Sequence, residues 1–234
     1  MFAVRLLMAP GFPLRDGLGH VVFSSIGISP DNPITEELGL ILQSVLWATV
    51  TLLLFHRQLR LLTRLVRSGN PGIARSLVYV LVALAACATW YAAVEILYMP
   101  RVLPVALNGF AITMVPQKVF SGDLLYSFAA VTRGLAVSVA EELVYRGALF
   151  YALLCMIGKW PSAVVSSLVF GYEHIDQWER TGLYPILCTA GFALLAFLIL
   201  FRTGRLRFCM LFHLVWNLHM DLFRIRIHPF GFHL

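Results

Sequence analysis

Two adjacent carboxylates and an arginine, in Glu141-Glu142-Leu143-Val144-Tyr145-Arg146-Gly147, stand inside a run otherwise apolar enough to cross a bilayer. On insertion scales a charged side chain near the centre of a membrane helix costs ~2.5 to 3.5 kcal/mol. A chain that keeps three of them so close together must give them a protein-lined or watered cavity. On a helix, Glu142 and Arg146 are four apart and share a face, which suits a neutralising ion pair. Glu141 is turned ~100° away, toward a different neighbour, and a carboxylate without a fixed cation can take and give a proton. A buried polar clamp between helices and a proton-transfer site are both open readings of these residues alone.

The surrounding chain decides the class. Of 234 residues, 59% are hydrophobic and 13% charged, and the mean hydropathy is +0.81. Soluble domains run at roughly 45–50% apolar and 25% charged, so this is an integral membrane protein. The expected fold is an all-α, polytopic transmembrane helix bundle of about six spans, in a range of roughly five to eight. The formal charge of +6 does not read as nucleic-acid binding, because the arginines sit at or beside the ends of apolar runs, where loops meet lipid headgroups. Cys87, Cys155, Cys188 and Cys209 all fall in apolar segments without metal-type spacing, and read as small core residues.

Residues 1 to 35 hold several Gly and Pro and no run long enough to span, and they lack the pattern of a cleaved signal peptide. The first expected span is Leu38 to Phe55. Arg57, Arg60, Arg64 and Arg67 then recur at helical steps, which predicts a separate stretch of helix lying on anionic headgroups at the cytoplasmic face. A second span runs from about Ser76 to Tyr98, followed by a loop to about Asp123. The apolar stretch from Leu124 to Ile157 is too long for one straight crossing, so a kink, a strong tilt or two helices is expected. Further spans cover Ser162 to about His174, Tyr184 to Leu200, and Phe208 to about Phe223. A compact basic turn around Gly204 is the second candidate cytoplasmic loop.

Two further pairs carry polar groups into apolar segments. Phe170 and His174 are four apart, as are His213 and Asn217, so each pair can occupy one helix face. One carboxylate, two imidazoles and an amide, drawn from separate segments, are the parts for activating water and stabilising an oxyanion.

These residues resemble the CPBP group of glutamic intramembrane endopeptidases, which includes the type II CAAX prenyl proteases and the Abi bacteriocin-processing or immunity proteins. The motifs EExxxR, FxxxH and HxxxN read here as Glu141-Glu142 to Arg146, Phe170 to His174 and His213 to Asn217, in family order. The resemblance covers about Leu124 to Met220. It divides the chain into an N-terminal region (1–123), a four-helix catalytic core (124–223) and a tail (224–234). It implies that Glu141 is the general base, working with His174 on water, and that His213 and Asn217 stabilise the oxyanion. Glu142, Arg146 and Phe170 would be supporting residues, with neither cofactor nor metal. The implied partners are the lipid bilayer and a membrane-associated peptide or protein: a prenylated C-terminus, a bacteriocin-type leader or a C-terminal sorting tag. The implied setting is a multi-pass protein of a prokaryotic plasma membrane. Glu173, a charge beside His174, departs from the small or apolar residue expected there.

Two rival readings use the same residues. Glu141, His174 and His213 would be plausible zinc ligands with an open position for water, although no HExxH is present. Alternatively the cluster only locks helices together in a scaffold or immunity protein, although that role would not need the full set of four polar groups. A proton-coupled transporter using Glu95 and Glu141 is the weakest reading, since paired repeats are not evident.

Overall fold

The structure is a computed structural model that describes residues 33–66, 71–98, 110–116, 124–175 and 183–229. The expectations for residues 1–32, and for most of the loop that ends at about Asp123, lie outside the described residues. In chain order the elements are α1 (Pro33–Val66), α2 (Ile73–Tyr98), β1 (Phe110–Pro116), α3 (Leu124–Glu141), a π-helical segment (Glu142–Leu149), α4 (Phe150–Ile157), α5 (Lys159–Glu173), α6 (Leu183–Thr203), α7 (Leu206–Leu222) and β2 (Phe223–Pro229).

Three of these helices are long and apolar enough to cross a membrane, at Glu37–Leu62, Ile73–Val94 and Leu183–Thr203. They differ sharply in their surroundings: 61% of the α6 window is buried inside the protein, against 22% for α2 and 6% for α1. α6 is therefore the central helix. Phe192, Phe197 and Phe201 on it pack with Phe150, Phe170, Phe208, Phe212 and Trp216 from the helices around it. Alanines and cysteines, among them Ala193, Ala196, Cys188 and Cys209, are fully buried between those rings and let the helices approach.

Two expectations need correction, on the basic stretch and on the C-terminal tail. The basic stretch after Phe55 is no separate helix: α1 runs unbroken for 34 residues, because no Gly or Pro stands between Gly39 and Gly69. The long run from Leu124 to Ile157, for which a kink, a strong tilt or two helices was expected, stays helical but changes to π geometry at Glu142, directly after Glu141. The helical fold carries one addition. β1 and β2 form an antiparallel ribbon with Phe110 opposite Pro229 and Pro116 opposite Phe223. The segment read as a tail is thus a strand, and the strict alternation in Phe-Arg-Ile-Arg-Ile-His fits its period of two. The turn at Gly204, by contrast, falls where expected. Its φ of 63° suits glycine, and the Arg205 N–H donates to Thr203 Oγ1 at 3.2 Å to start α7.

Candidate active site

The last α-helical residue of α3 is Glu141, and the first π residue is Glu142. The wider π turn is closed by the Phe150 N–H reaching back five residues to the Tyr145 carbonyl, which also accepts a hydrogen bond from Ser166 Oγ on α5 at 2.9 Å. A helix anchored in this way brings both carboxylates against the same imidazole. His213 Nδ1 lies 2.9 Å from Glu142 Oε1, and its Nε2 lies 3.6 Å from Glu141 Oε2. The separate direction expected for Glu141 is therefore only half realised. It faces His174 on α5, with Nε2 at 3.8 Å, but it shares His213 with its neighbour.

The ion pair between Glu142 and Arg146 forms as the spacing suggests, with Arg146 Nη1 3.0 Å from Glu142 Oε1 and both side chains sealed from solvent. Aromatic rings complete the enclosure. The guanidinium carbon sits 4.5 Å from the centroid of Phe170, 5.7 Å from that of Phe197 and 5.9 Å from that of Phe192. Such faces attract a cation, and desolvation strengthens the effect. Phe170 also lies against His174, with ring centroids 4.2 Å apart, so one ring touches the ion pair and an imidazole at once.

Hydrogen bonds on the far side of each ring orient both imidazoles. His174 Nδ1 donates to the Phe170 carbonyl at 2.7 Å, since a carbonyl can only accept. His213 Nδ1 donates to the Glu142 carboxylate. Each ring therefore turns Nε2 toward Glu141, and in the neutral form that nitrogen carries the lone pair. Glu141 Oε2, between them, is enclosed and accepts no hydrogen bond among the described residues. The Glu141 side chain as a whole is 21% exposed and that of His174 13%, while Glu142 and Arg146 are at zero. The reachable edge of the cluster is the Glu141–His174 edge.

Asn217, one turn beyond His213 on α7, donates from Nδ2 to Ser138 Oγ at 3.2 Å, and Ser138 in turn donates to the Gly134 carbonyl at 2.7 Å. Ser138 was not singled out by the motifs, although a hydroxyl three residues before Glu141 in an apolar helix was a usable signal. Phe192 was missed for a better reason. It lies on α6, which carries none of the motifs, yet its ring is 4.9 Å from that of His213. Glu173 ends α5, partly buried, immediately before His174. Six of the seven residues singled out from the sequence thus belong to one contiguous cluster built from α3, the π segment, α5 and α7, and the seventh, Asn217, is tied to α3 through Ser138. Among the described residues, no three His, Cys, Asp or Glu side chains are arranged to hold a metal ion.

Neither a curated protein nor a solved structure matches the chain. Residues 123–219, a span that includes every residue of the cluster, match the family model described as Type II CAAX prenyl endopeptidase Rce1-like, so this part of the chain is similar to that family.

Proposed function

We propose that the protein is a membrane-embedded endopeptidase of the glutamic type, in which Glu141 and His174 activate water while His213 and Asn217 stabilise the oxyanion. The observation that carries this reading is the unsatisfied Glu141 Oε2 facing two imidazole Nε2 atoms at 3.6 and 3.8 Å. Those separations are too long for direct hydrogen bonds. They suit a water that is bonded at ~2.8 Å to Glu141 and His174 and passes its proton to them as it attacks a peptide carbonyl.

Charge balance supports the same division of roles. Two carboxylates and one guanidinium leave the cluster with one negative charge in excess, and a low-dielectric interior favours neutrality. The role proposed for His213 needs an N–H at Nε2, and the Glu142 carboxylate at Nδ1 faces the positive charge that this N–H brings to the ring; Asn217, one turn further along α7, would offer its second N–H to the same oxyanion. The substrate would be a membrane-associated peptide or protein, of which a prenylated C-terminus, a leader peptide and a C-terminal sorting tag are the three chemical types to test.

The test compares wild type with Glu141→Gln, His174→Ala and His213→Ala in native membranes, scoring by mass spectrometry which peptide termini change, with and without a chelator. Specific termini should disappear in all three variants at normal insertion, and the wild type should ignore the chelator. Retained cleavage in Glu141→Gln would refute its role as base. Chelator-sensitive cleavage would assign the same residues to a metal, and unchanged termini throughout would leave a helix-locking scaffold.

A further inference from the structure

Away from the polar cluster, α1 packs chiefly on α3 and the π segment and leaves a groove toward the end of α6 and the start of α7. The groove has a volume of about 420 Å³, within the ~300–1,000 Å³ of ordinary ligand sites. Its walls are leucines, notably Leu52 and Leu59 on α1, Leu143 on the π segment and Leu206 on α7, and its polar lining residues are His56 and Arg60. Leu52, His56, Leu59 and Arg60 recur at helical steps and so form one face of α1. The opposite wall is bracketed by the basic turn: Leu200 and Leu206 line the groove, and Arg202, Arg205 and Arg207 stand beside them in sequence.

The level of this groove in the bilayer follows from the spans that form it. The apolar window of α1 ends at Leu62 and that of α6 at Thr203, so the hydrocarbon boundary passes through the basic end of the groove. An apolar slot below that boundary, with the Arg60 guanidinium and the His56 imidazole at its lip and the arginines of the turn beside it, fits an amphiphile with one acyl chain and an anionic head. We infer that this groove is a binding site for an anionic phospholipid, its phosphate held by Arg60 and His56 and one acyl chain lying along the leucines. The lining contains none of Glu141, His174, His213 or Asn217, and Leu206 precedes His213 by seven residues, or ~10 Å of helix. A peptide bond at the polar cluster would therefore not occupy the groove. The inference stands apart from the protease chemistry.

Native mass spectrometry of the full chain in neutral detergent tests it, with phosphatidylglycerol and phosphatidylcholine of identical chains as probes. The wild type should retain phosphatidylglycerol about fivefold better, as the ~1 kcal/mol attraction of one arginine near a membrane surface implies. His56→Gln with Arg60→Gln, both at exposed positions, should abolish that preference. Leu52→Trp, which fills the slot from an exposed position, should lower retention of both lipids. Equal retention of the two lipids, or a preference untouched by the double variant, would reduce the groove to ordinary lipid contact and overturn the inference. Displacement of phosphatidylglycerol by a farnesylated peptide would overturn it too, by making the groove a substrate subsite.

Discussion

Asn217 reaches the cluster with one amide hydrogen already committed. Ser138 Oγ donates its own proton to the Gly134 carbonyl and so must accept from Asn217, which fixes which edge of the amide faces Ser138 and, in the mechanism proposed above, which is turned to substrate. Ser138→Ala removes that acceptor and lets the amide rotate. The loss of one such bond is worth ~0.5–1.5 kcal/mol, so kcat should fall roughly two- to tenfold with KM little changed. Ser138→Thr, which keeps the hydroxyl, should restore most of the loss. In an Asn217→Ala background Ser138→Ala should cost nothing further, and equal losses in both backgrounds would mean that Ser138 acts through the fold instead. The motif residues were legible because charge and imidazole are rare in apolar helices. Ser138 was harder to pick out, since serines recur in these helices and only the contact with α7 distinguishes this one.

At the scale of the element, the π segment shows what spacing arguments leave out. Glu142 and Arg146 are four apart and meet as any helix would allow, but the step from α to π geometry directly after Glu141 brings both carboxylates to His213. No residue type in Glu-Leu-Val-Tyr-Arg-Gly-Ala-Leu specifies that step. It is stabilised from outside, by Ser166 of α5 bonding the Tyr145 carbonyl. The second contact at this scale joins α2, which lies outside the matched domain, to the central helix. The Trp90 indole donates to the Leu187 carbonyl at 2.9 Å and lies over Gly191 so closely that a Cβ there would collide with the ring. Gly191→Ala should therefore lower stability by about 1–3 kcal/mol. Thermal unfolding in detergent should show that loss, and Trp90→Ala in the same chain should relieve much of it. A neutral Gly191→Ala would mean that the indole is not seated on α6.

At the scale of the molecule, the groove between α1 and the basic turn requires Arg60 and Arg205 to lie toward one side of the membrane. In a chain with its four cysteines replaced, Arg60→Cys and Arg205→Cys should both react with an impermeant maleimide from the same side. By the positive-inside rule, the expected side is the cytoplasm. Labelling from opposite sides would break the shared topology on which both the groove and the six-span reading depend.

The sequence by itself determined that this is a helical membrane protein and which polar residues its interior must accommodate, because charges in hydrocarbon are too costly to be incidental. It could not rank the spans. α1, α2 and α6 are all apolar enough to cross, yet one is mostly buried in protein and another almost wholly outside it. An apolar side chain is equally at home against lipid or against another helix, so composition carries no signal for that choice. Only the tertiary structure decided which helix is central, and only it brought the two imidazoles to one carboxylate oxygen. That convergence depends on where separate helices end and how they cross, which no single segment encodes.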